Sequence, residues 1–148
     1  MEWVTRERPK TDRIACPWLI ARFIDPQADF LYVAPESVLE VASREGARSF
    51  DADGTDFTHR DGKCTFEVLL EEFKLEGDPA LMRLAQIVHA ADVAEDRHTD
   101  PFGPCLEAIG VGGLAAEPDD ARLLERGMFV YDALYAWCSA ERLSTAEL

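Results

Sequence analysis

The sequence predicts a single α+β domain that is mostly helical and carries a small β-sheet. The chain has 148 residues, which is enough for one domain with a hydrophobic core. Apolar residues recur at helical spacing over most of the chain, and short runs rich in β-branched and aromatic residues interrupt them. Internal repeats, low-complexity tracts and flexible linkers are not recognisable in it. We therefore expect residues 1–148 to form one domain.

The strands are predicted from those short runs. The turn sequence D-A-D-G at Asp51–Gly54 lies between the last two runs and predicts a hairpin. In chain order, the expected strands are Trp3–Thr5, Asp29–Val33, Arg48–Asp51 and Asp56–His59.

Helices in the first half are predicted from proline and glycine signals. Pro17 suits the first turn of a helix within the apolar run Asp12–Asp25, which would leave Cys16 near the helix N-terminus. A second helix is expected over Pro35–Arg44, closed by Gly46. Its inward side is predicted to consist of Val38, Leu39 and Ala42.

Three further helices are expected around a central one at Asp78–Glu95. Thr65 is predicted to cap the first of them, and Gly77 to end it. Pro104 opens a short helix that is expected to stop at Gly110, Gly112 and Gly113. Pro118 begins the last and longest helix. The predicted buried face of this last helix is Leu124, Met128, Tyr131, Leu134, Tyr135 and Cys138.

The helix Asp78–Glu95 carries a carboxylate on its apolar side. At about 100° per residue, Asp92 falls within the apolar stripe, and His89 flanks it one turn back. An ionised carboxylate that faces a core is costly unless an Arg, hydrogen bonds or a metal ion compensates it. The stripe consists of Leu81, Leu84, Ala85 and Val88. The H-x-x-D spacing therefore predicts a metal site, with a simple His89–Asp92 hydrogen bond as the alternative.

A second imidazole extends this candidate site. His59 ends a predicted strand before a turn, where a side chain is held firmly and stays accessible. With His89 and Asp92, and Glu67 as an additional carboxylate, it gives a mixed nitrogen and oxygen ligand set. Such a set suits Zn, Mn, Fe or Ni without choosing among them. The alternative for His59 is a solvent-facing turn residue.

Arginines on the first apolar segment offer a competing explanation. Arg13 and Arg22 need carboxylates if they lie near the core, and either could be the partner of Asp92 instead of a metal. The other candidate partners are Asp12, Asp25 and Asp132.

Cysteine spacing excludes a zinc ribbon or a thioredoxin-like motif, because none of Cys16, Cys64, Cys105 and Cys138 forms a C-x-x-C pair. Cys16 is the candidate redox thiol, since a helix N-terminus and Arg13 would favour its thiolate. Its apolar neighbours indicate burial, which would make it a structural cysteine instead.

The net charge and the N-terminal sequence limit the kinds of partner and the location that we expect for this protein. The net charge of −14 argues against direct nucleic-acid binding and suits cations. Apolar runs are too short to span a membrane. Met1–Lys10 is charged and unlike a signal peptide, so we expect a cytoplasmic location. A leader upstream of this sequence would not be visible in it.

Four segments resemble the chromate-resistance family, in the form of the C-terminal domain of ChrB-type proteins. The first is W-V-T-R-E-R-P-K-T-D-R-I-A-C-P-W-L-I-A-R-F-I-D, and the last is G-M-F-V-Y-D-A-L-Y-A-W-C. Between them lie F-T-H-R-D-G-K-C-T-F-E and the helix segment I-V-H-A-A-D. Together the four cover Trp3–Asp25, Phe57–Glu67, Ile87–Asp92 and Gly127–Cys138.

The resemblance implies a role in bacterial chromate resistance as a sensor, regulator or accessory protein. Members of this family occur alone, behind an N-terminal regulatory domain or fused to a rhodanese domain, so the resemblance implies a regulatory or rhodanese domain as a fused or separate partner where the domain is not alone. Within this family the histidine of the H-x-x-D helix is often an arginine, which gives more weight to His59 and Asp92 than to His89. Chromate is a dianion, so an acidic domain would need a local arginine cluster to bind it. The candidates for such a cluster are Arg13, Arg22 and Arg60.

Three functional hypotheses follow. The first is a metal-binding domain in chromate resistance. The second is a metal- or thiol-dependent redox enzyme that acts on chromate or a related oxidant. The third is a non-catalytic interaction module in which Asp92 pairs with an Arg and the last helix serves a homodimer or a partner domain.

Overall fold

The computed structural model of this chain describes residues 1–146, with side chains up to residue 140. It confirms the predicted class, a mostly helical α+β domain with a small sheet. The elements in chain order are β1 (Glu2–Arg6), α1 (Asp12–Leu19), β2 (Asp29–Val33), α2 (Val38–Glu45), β3 (Arg48–Ser49), α3 (Thr65–Glu72), α4 (Pro79–Asp92), α5 (Gly103–Ala116) and α6 (Asp120–Ala146). Shorter helical turns are a π-turn at Ile20–Ile24 and 3₁₀ turns at Pro35–Ser37 and Ala94–Thr99.

The sheet is parallel throughout, with β1 between β2 and β3. Val4 in the central strand pairs with Leu31 on one side and Ser49 on the other. Parallel neighbours require crossover connections, and here α1 and α2 supply them. This arrangement places the ends of β1 and β3 beside the start of α1.

The predicted hairpin at Arg48–His59 is wrong. Only β3 joins the sheet, and Phe50 and Phe57 form a single bridge in the parallel sense. The Asp56 carboxylate accepts the Ser49 N–H at 3.0 Å, which occupies a donor that an antiparallel strand would need. The chain after β3 therefore forms a hydrogen-bonded loop that ends near His59, a predicted site residue.

Helix α1 begins earlier than predicted. It starts at Asp12, so Pro17 lies inside it and Cys16 is not at its N-terminus. A proline at this position leaves the carbonyl of Arg13 without its helical donor. The hydroxyl of Tyr32 donates to that carbonyl at 2.8 Å, which explains how the helix tolerates the proline.

Two other element predictions need correction. Helix α2 starts at Val38 after the 3₁₀ turn, so Val41 is buried, whereas Leu39 points outward with 51% exposure. Cys64, and not Thr65, is the N-cap of α3, because Thr65 is already the first helical residue and its N–H donates to Asp12. The prediction that Gly46 ends α2 is confirmed, and the Asp78 side chain caps α4.

Helix α5 continues through the glycines that were expected to stop it. A Cβ on Gly103 would lie 2.5 Å from the Cβ of Ala90, so glycine there permits the close approach of α4 and α5. Gly110 similarly lies against Thr11. The glycines of α5 allow neighbouring segments to pack closely against the helix, and α5 is continuous through them.

The hydrophobic core lies between α1, α3, α4 and α6 and one face of the sheet. The predicted stripe of α4 is buried, as are Tyr131 and Cys138 on the predicted inner face of α6. The largest fully buried side chains are Trp3, Trp18, Phe50 and Phe66. Among the described residues, none of the helices combines the length and apolar character needed to cross a bilayer.

A matched pair of alanine variants tests the packing role of the α5 glycines. We expect Gly103→Ala to lower the free energy of unfolding by about 1–3 kcal/mol, because the added methyl group overpacks the contact with Ala90. The methyl group added by Gly112→Ala would have no neighbour within 4 Å. This variant should raise the free energy of unfolding by up to about 1 kcal/mol, because alanine has the higher helix propensity. Urea denaturation of both variants measures these changes, and equal effects would contradict the packing argument.

Candidate metal centre

The candidate site is built on Asp12, the first residue of α1, which is 1% exposed. Its carboxylate accepts the N–H groups of Thr65 at 2.8 Å and Phe66 at 3.2 Å. These belong to the first turn of α3, whose N–H groups have no partner within their own helix. Asp12 therefore caps α3 from a different helix, and both carboxylate oxygens are held in a fixed orientation.

Three carboxylates converge on the ring of His59. Its Nε2 lies 3.0 Å from Oδ2 of Asp92, 3.4 Å from Oδ2 of Asp12 and 3.5 Å from Oδ1 of Asp51. These side chains come from the end of α4, the start of α1 and the loop after β3. The His59 ring is 46% exposed, so the cluster opens to solvent on that side.

The cluster shifts the pKa values of its members. Hydrogen bonds to Asp12, Asp51 and Asp92 raise the pKa of His59 to about 12. Burial raises the pKa of Asp12 to about 7; the His59 hydrogen bond opposes this shift, and the negative charges of Asp92 and Asp51 add to it. Burial and the mutual repulsion of the carboxylates therefore favour protonation within the folded site.

Asp51 differs from the other two carboxylates because arginines compensate it. Arg6 contacts its carboxylate at 3.3 Å and Arg13 at 3.5 Å, and the Thr65 hydroxyl donates to it at 2.9 Å. In the described part of the chain, the ion pairs of Asp12 and Asp92 are with His59. The carboxylates that still need positive charge are therefore Asp12 and Asp92.

The donor set fits a divalent ion. One ligand atom each from Asp12, His59 and Asp92 lies within 4.8 Å of the others. Ligands about 2.1 Å from a common ion lie about 3.0–3.4 Å from one another in octahedral or tetrahedral geometry. The His59 to carboxylate distances of 3.0 and 3.4 Å agree with this spacing. Two oxygens and one nitrogen would leave further coordination positions open.

The structure divides the four sequence-predicted ligands into two pairs. His59 and Asp92 belong to the cluster just described. His89 instead contacts Glu67 through Nδ1 at 2.6 Å and Asp96 through Nε2 at 2.7 Å. The ligand atoms of His89 and Glu67 group with that of Cys64.

The three predicted anion-binding arginines lie in three different places. Arg13 is at the candidate site, where it faces Asp51. Arg22 pairs with Asp132, one of its predicted partners. Arg60 pairs with Glu71 and Glu72 on α3. They do not form one cluster.

Cys16 is buried within α1 and donates to Asp12 at 3.5 Å. Burial, followed by the charges of Asp12 and Asp51, raises its pKa well above the ordinary value. The thiolate that redox chemistry requires is disfavoured there.

Sequence reasoning missed Asp12, Asp51 and Arg6 as site residues. Asp12 is predicted only as a partner for arginine, because its place before an apolar helix points to α1, whereas its carboxylate accepts N–H groups of α3. Asp51 has a positive φ of 52°, and its carboxylate contacts Arg13 of α1 at 3.5 Å. Arg6 is the last residue of strand β1 and borders a cavity of about 500 Å³ that His59, Thr58 and Gly54 also line.

The fold and this cluster define a small helical α+β domain with a carboxylate–histidine site. The family profile described as "ChrB, C-terminal domain" matches residues 3–138. Protein ChrB of Cupriavidus metallidurans is 40% identical over 141 residues, or 95% of this chain and 42% of the relative. No solved structure matches the chain.

This chain therefore belongs to the ChrB C-terminal domain family, which confirms the family resemblance found in the sequence. It spans less than half the length of that curated relative.

The raised pKa of His59 predicts a pH dependence of stability in metal-free protein. The stabilisation by charged His59 is fully present below its unfolded pKa of 6.5 and is lost as the pH rises toward the folded value of about 12. Between pH 7 and 9, the protein with His59 should lose more unfolding free energy than His59→Gln, although solvent screening at this half-exposed ring reduces the difference.

Urea denaturation in chelator across this pH range measures the effect. The comparison is made in an Asp12→Asn background, because removal of His59 would otherwise raise the pKa of Asp12 further and add its titration to the variant. Groups that titrate equally in both proteins then cancel. Parallel stability curves for the two proteins would contradict the proposed ion-pair cluster.

Proposed function

We propose that this domain binds a divalent metal ion through Asp12, His59 and Asp92, and that it acts in chromate resistance as a metal-dependent sensor, regulator or accessory domain. The observation that carries the proposal is the buried Asp12 carboxylate, which is oriented by two backbone N–H groups and faces a second carboxylate and one imidazole.

Charge supports this reading of the cluster. Two carboxylates that share one histidine proton remain under-compensated, and a divalent ion would supply the missing positive charge. Binding would also release protons, because metal ligands must be deprotonated. The acidic chain, with a net charge of −14, attracts cations over a longer range.

The ligand chemistry suits Mn, Fe, Zn or Ni. Imidazole and carboxylate donors favour these ions over soft ones such as Cu(I). Coordination positions not filled by protein would take water or an oxyanion. A metal with open positions can polarise a bound oxygen, so the same geometry also accommodates an enzymatic role.

The link to chromate resistance rests on the family. The domain would report on the metal ion or the oxyanion to the rest of a longer protein or to a partner, which is the sensor or regulator role. If the carboxylates are compensated by His59 alone, the domain becomes an interaction module, and the following experiment separates these cases.

Metal addition to chelated protein tests the site. We expect near-stoichiometric binding of at least one of Mn²⁺, Fe²⁺, Zn²⁺ and Ni²⁺. At a free concentration of 100 times the Kd, binding should add about 2.7 kcal/mol to the unfolding free energy. Asp92→Asn should weaken binding at least about tenfold because it removes a charged ligand.

His98→Gln is the matched control, because His98 is an exposed histidine of the neighbouring 3₁₀ turn. Elemental analysis and thermal melting report binding, and circular dichroism checks the fold of each variant. Equal metal binding and equal melting shifts for Asp92→Asn and the control would refute the site.

A second candidate function is oxyanion recognition beside this centre. The cavity next to His59 is bordered by Arg6, whose guanidinium also contacts the Asp51 carboxylate. A small dianion that entered this cavity would meet the guanidinium and an open metal position together. Long-range repulsion by the acidic chain makes such recognition depend on short-range contacts.

Arg6→Gln tests this candidate. We expect it to weaken binding of molybdate, a dianion of chromate-like shape, to metal-loaded protein roughly tenfold, because one charge-assisted hydrogen bond is lost. Arg22→Gln is the control, since Arg22 pairs with Asp132 elsewhere. Isothermal titration measures both affinities, and an equal loss in the two variants would argue against this cavity.

A further inference from the structure

A second cluster of ligand-type side chains lies at the start of α3. The ligand atoms of Cys64, Glu67 and His89 lie within 4.8 Å of one another. None of these residues belongs to the centre at Asp12, His59 and Asp92. The cluster adds a sulfur donor, which the first centre lacks.

Local helix chemistry brings the first two residues together. Cys64 is the N-cap of α3, and Glu67 is the third residue of the helix. The Glu67 carboxylate turns back and accepts the Cys64 N–H at 2.8 Å. This is the geometry of a capping box, and it holds the carboxylate beside the cap residue.

The third residue is oriented by a carboxylate on its far side. Nδ1 of His89 faces Oε2 of Glu67 at 2.6 Å, and Nε2 faces Oδ2 of Asp96 at 2.7 Å. Histidines that bind metals usually donate their other ring N–H to a carboxylate, which fixes the tautomer and the ring plane. Asp96 is in place for that role.

The Cys64 thiol has to lose its proton to bind a cation. Cys64 is fully buried, and burial, followed by the charges of Asp12 and Glu67, raises its pKa. A bound cation reverses this preference, because it stabilises the thiolate directly. A cavity of about 330 Å³ lies against two of the three residues, and its lining is Glu67, Gln86, His89, Thr99 and Asp100.

We propose that Cys64, Glu67 and His89 form a second cation site, which takes a borderline-soft divalent ion such as Zn²⁺ or Co²⁺ with Asp96 orienting His89. The sulfur, oxygen and nitrogen donors match the ligands that zinc accepts. On binding, the Cys64 thiol gives its proton to water and Nδ1 of His89 gives up any proton that it carries. The 2.6 Å hydrogen-bond contact between Nδ1 and Glu67 then widens to the spacing of two ligands of one ion. Nε2–H of His89 stays with Asp96. The three protein ligands leave a fourth position for water.

Cobalt(II) spectroscopy tests this proposal, because only a thiolate ligand produces a sulfur-to-cobalt charge-transfer band in the near ultraviolet. The starting protein is Cys105→Ser, which removes the exposed cysteine. Chelated protein titrated with Co²⁺ should develop the band to a stoichiometric end point. Adding Cys64→Ser should abolish the band while the fold is retained, since serine is a favoured N-cap.

Two further variants test the role of Asp96 and separate this site from the first centre. Asp96→Asn alters a partly exposed side chain outside the coordination sphere and should preserve the band while weakening Co²⁺ affinity about 10–100-fold. Asp92→Asn should leave the band and its affinity unchanged, so failure of the first centre is distinguishable from failure of this one. Absence of the band in the starting protein, or its survival in Cys64→Ser, would overturn the proposal.

Discussion

The contact between the Asp12 carboxylate and the first turn of α3 is the constraint on which the site depends. The free N–H groups of a buried helix N-terminus need acceptors, and Asp12 supplies them from α1. The helix end in turn stabilises a carboxylate that would otherwise be expensive to bury. The hydrogen bonds between them lower the free-energy cost of burying both groups. They therefore hold the start of α1 against the start of α3.

This contact determines where the ligand-type residues lie. It turns Asp12 toward His59 and Asp92 on one side. On the other side it fixes the start of α3, where Cys64 and Glu67 meet His89. His89 and Asp92 are three residues apart on α4 and so differ by about 60° in direction and about 4.5 Å along the helix axis. That difference is enough for one helix to serve two separate clusters.

The charges near the site explain how an acidic domain could serve an anion-related role. The overall charge of −14 favours cations, yet Arg6 and Arg13 lie beside Asp51 at the edge of the carboxylate cluster. A metal ion would add positive charge at the same place. Under the proposed function, recognition of an oxyanion there would therefore be local and would depend on the cation that is bound first.

The sequence by itself determined the class of fold, most helices and the inward direction of Asp92, because these follow from local periodicity and capping. It also determined the family, because two long segments carry specific residue patterns.

The tertiary structure alone decided which residues meet. His59 and His89 were predicted in one site, but they lie in two clusters because α3 begins between them. Asp12 was not predicted as a site residue, since its role depends on N–H groups 53 and 54 positions away in the chain. Such long-range pairing leaves no periodic signal, because it arises only when separate helices pack against each other.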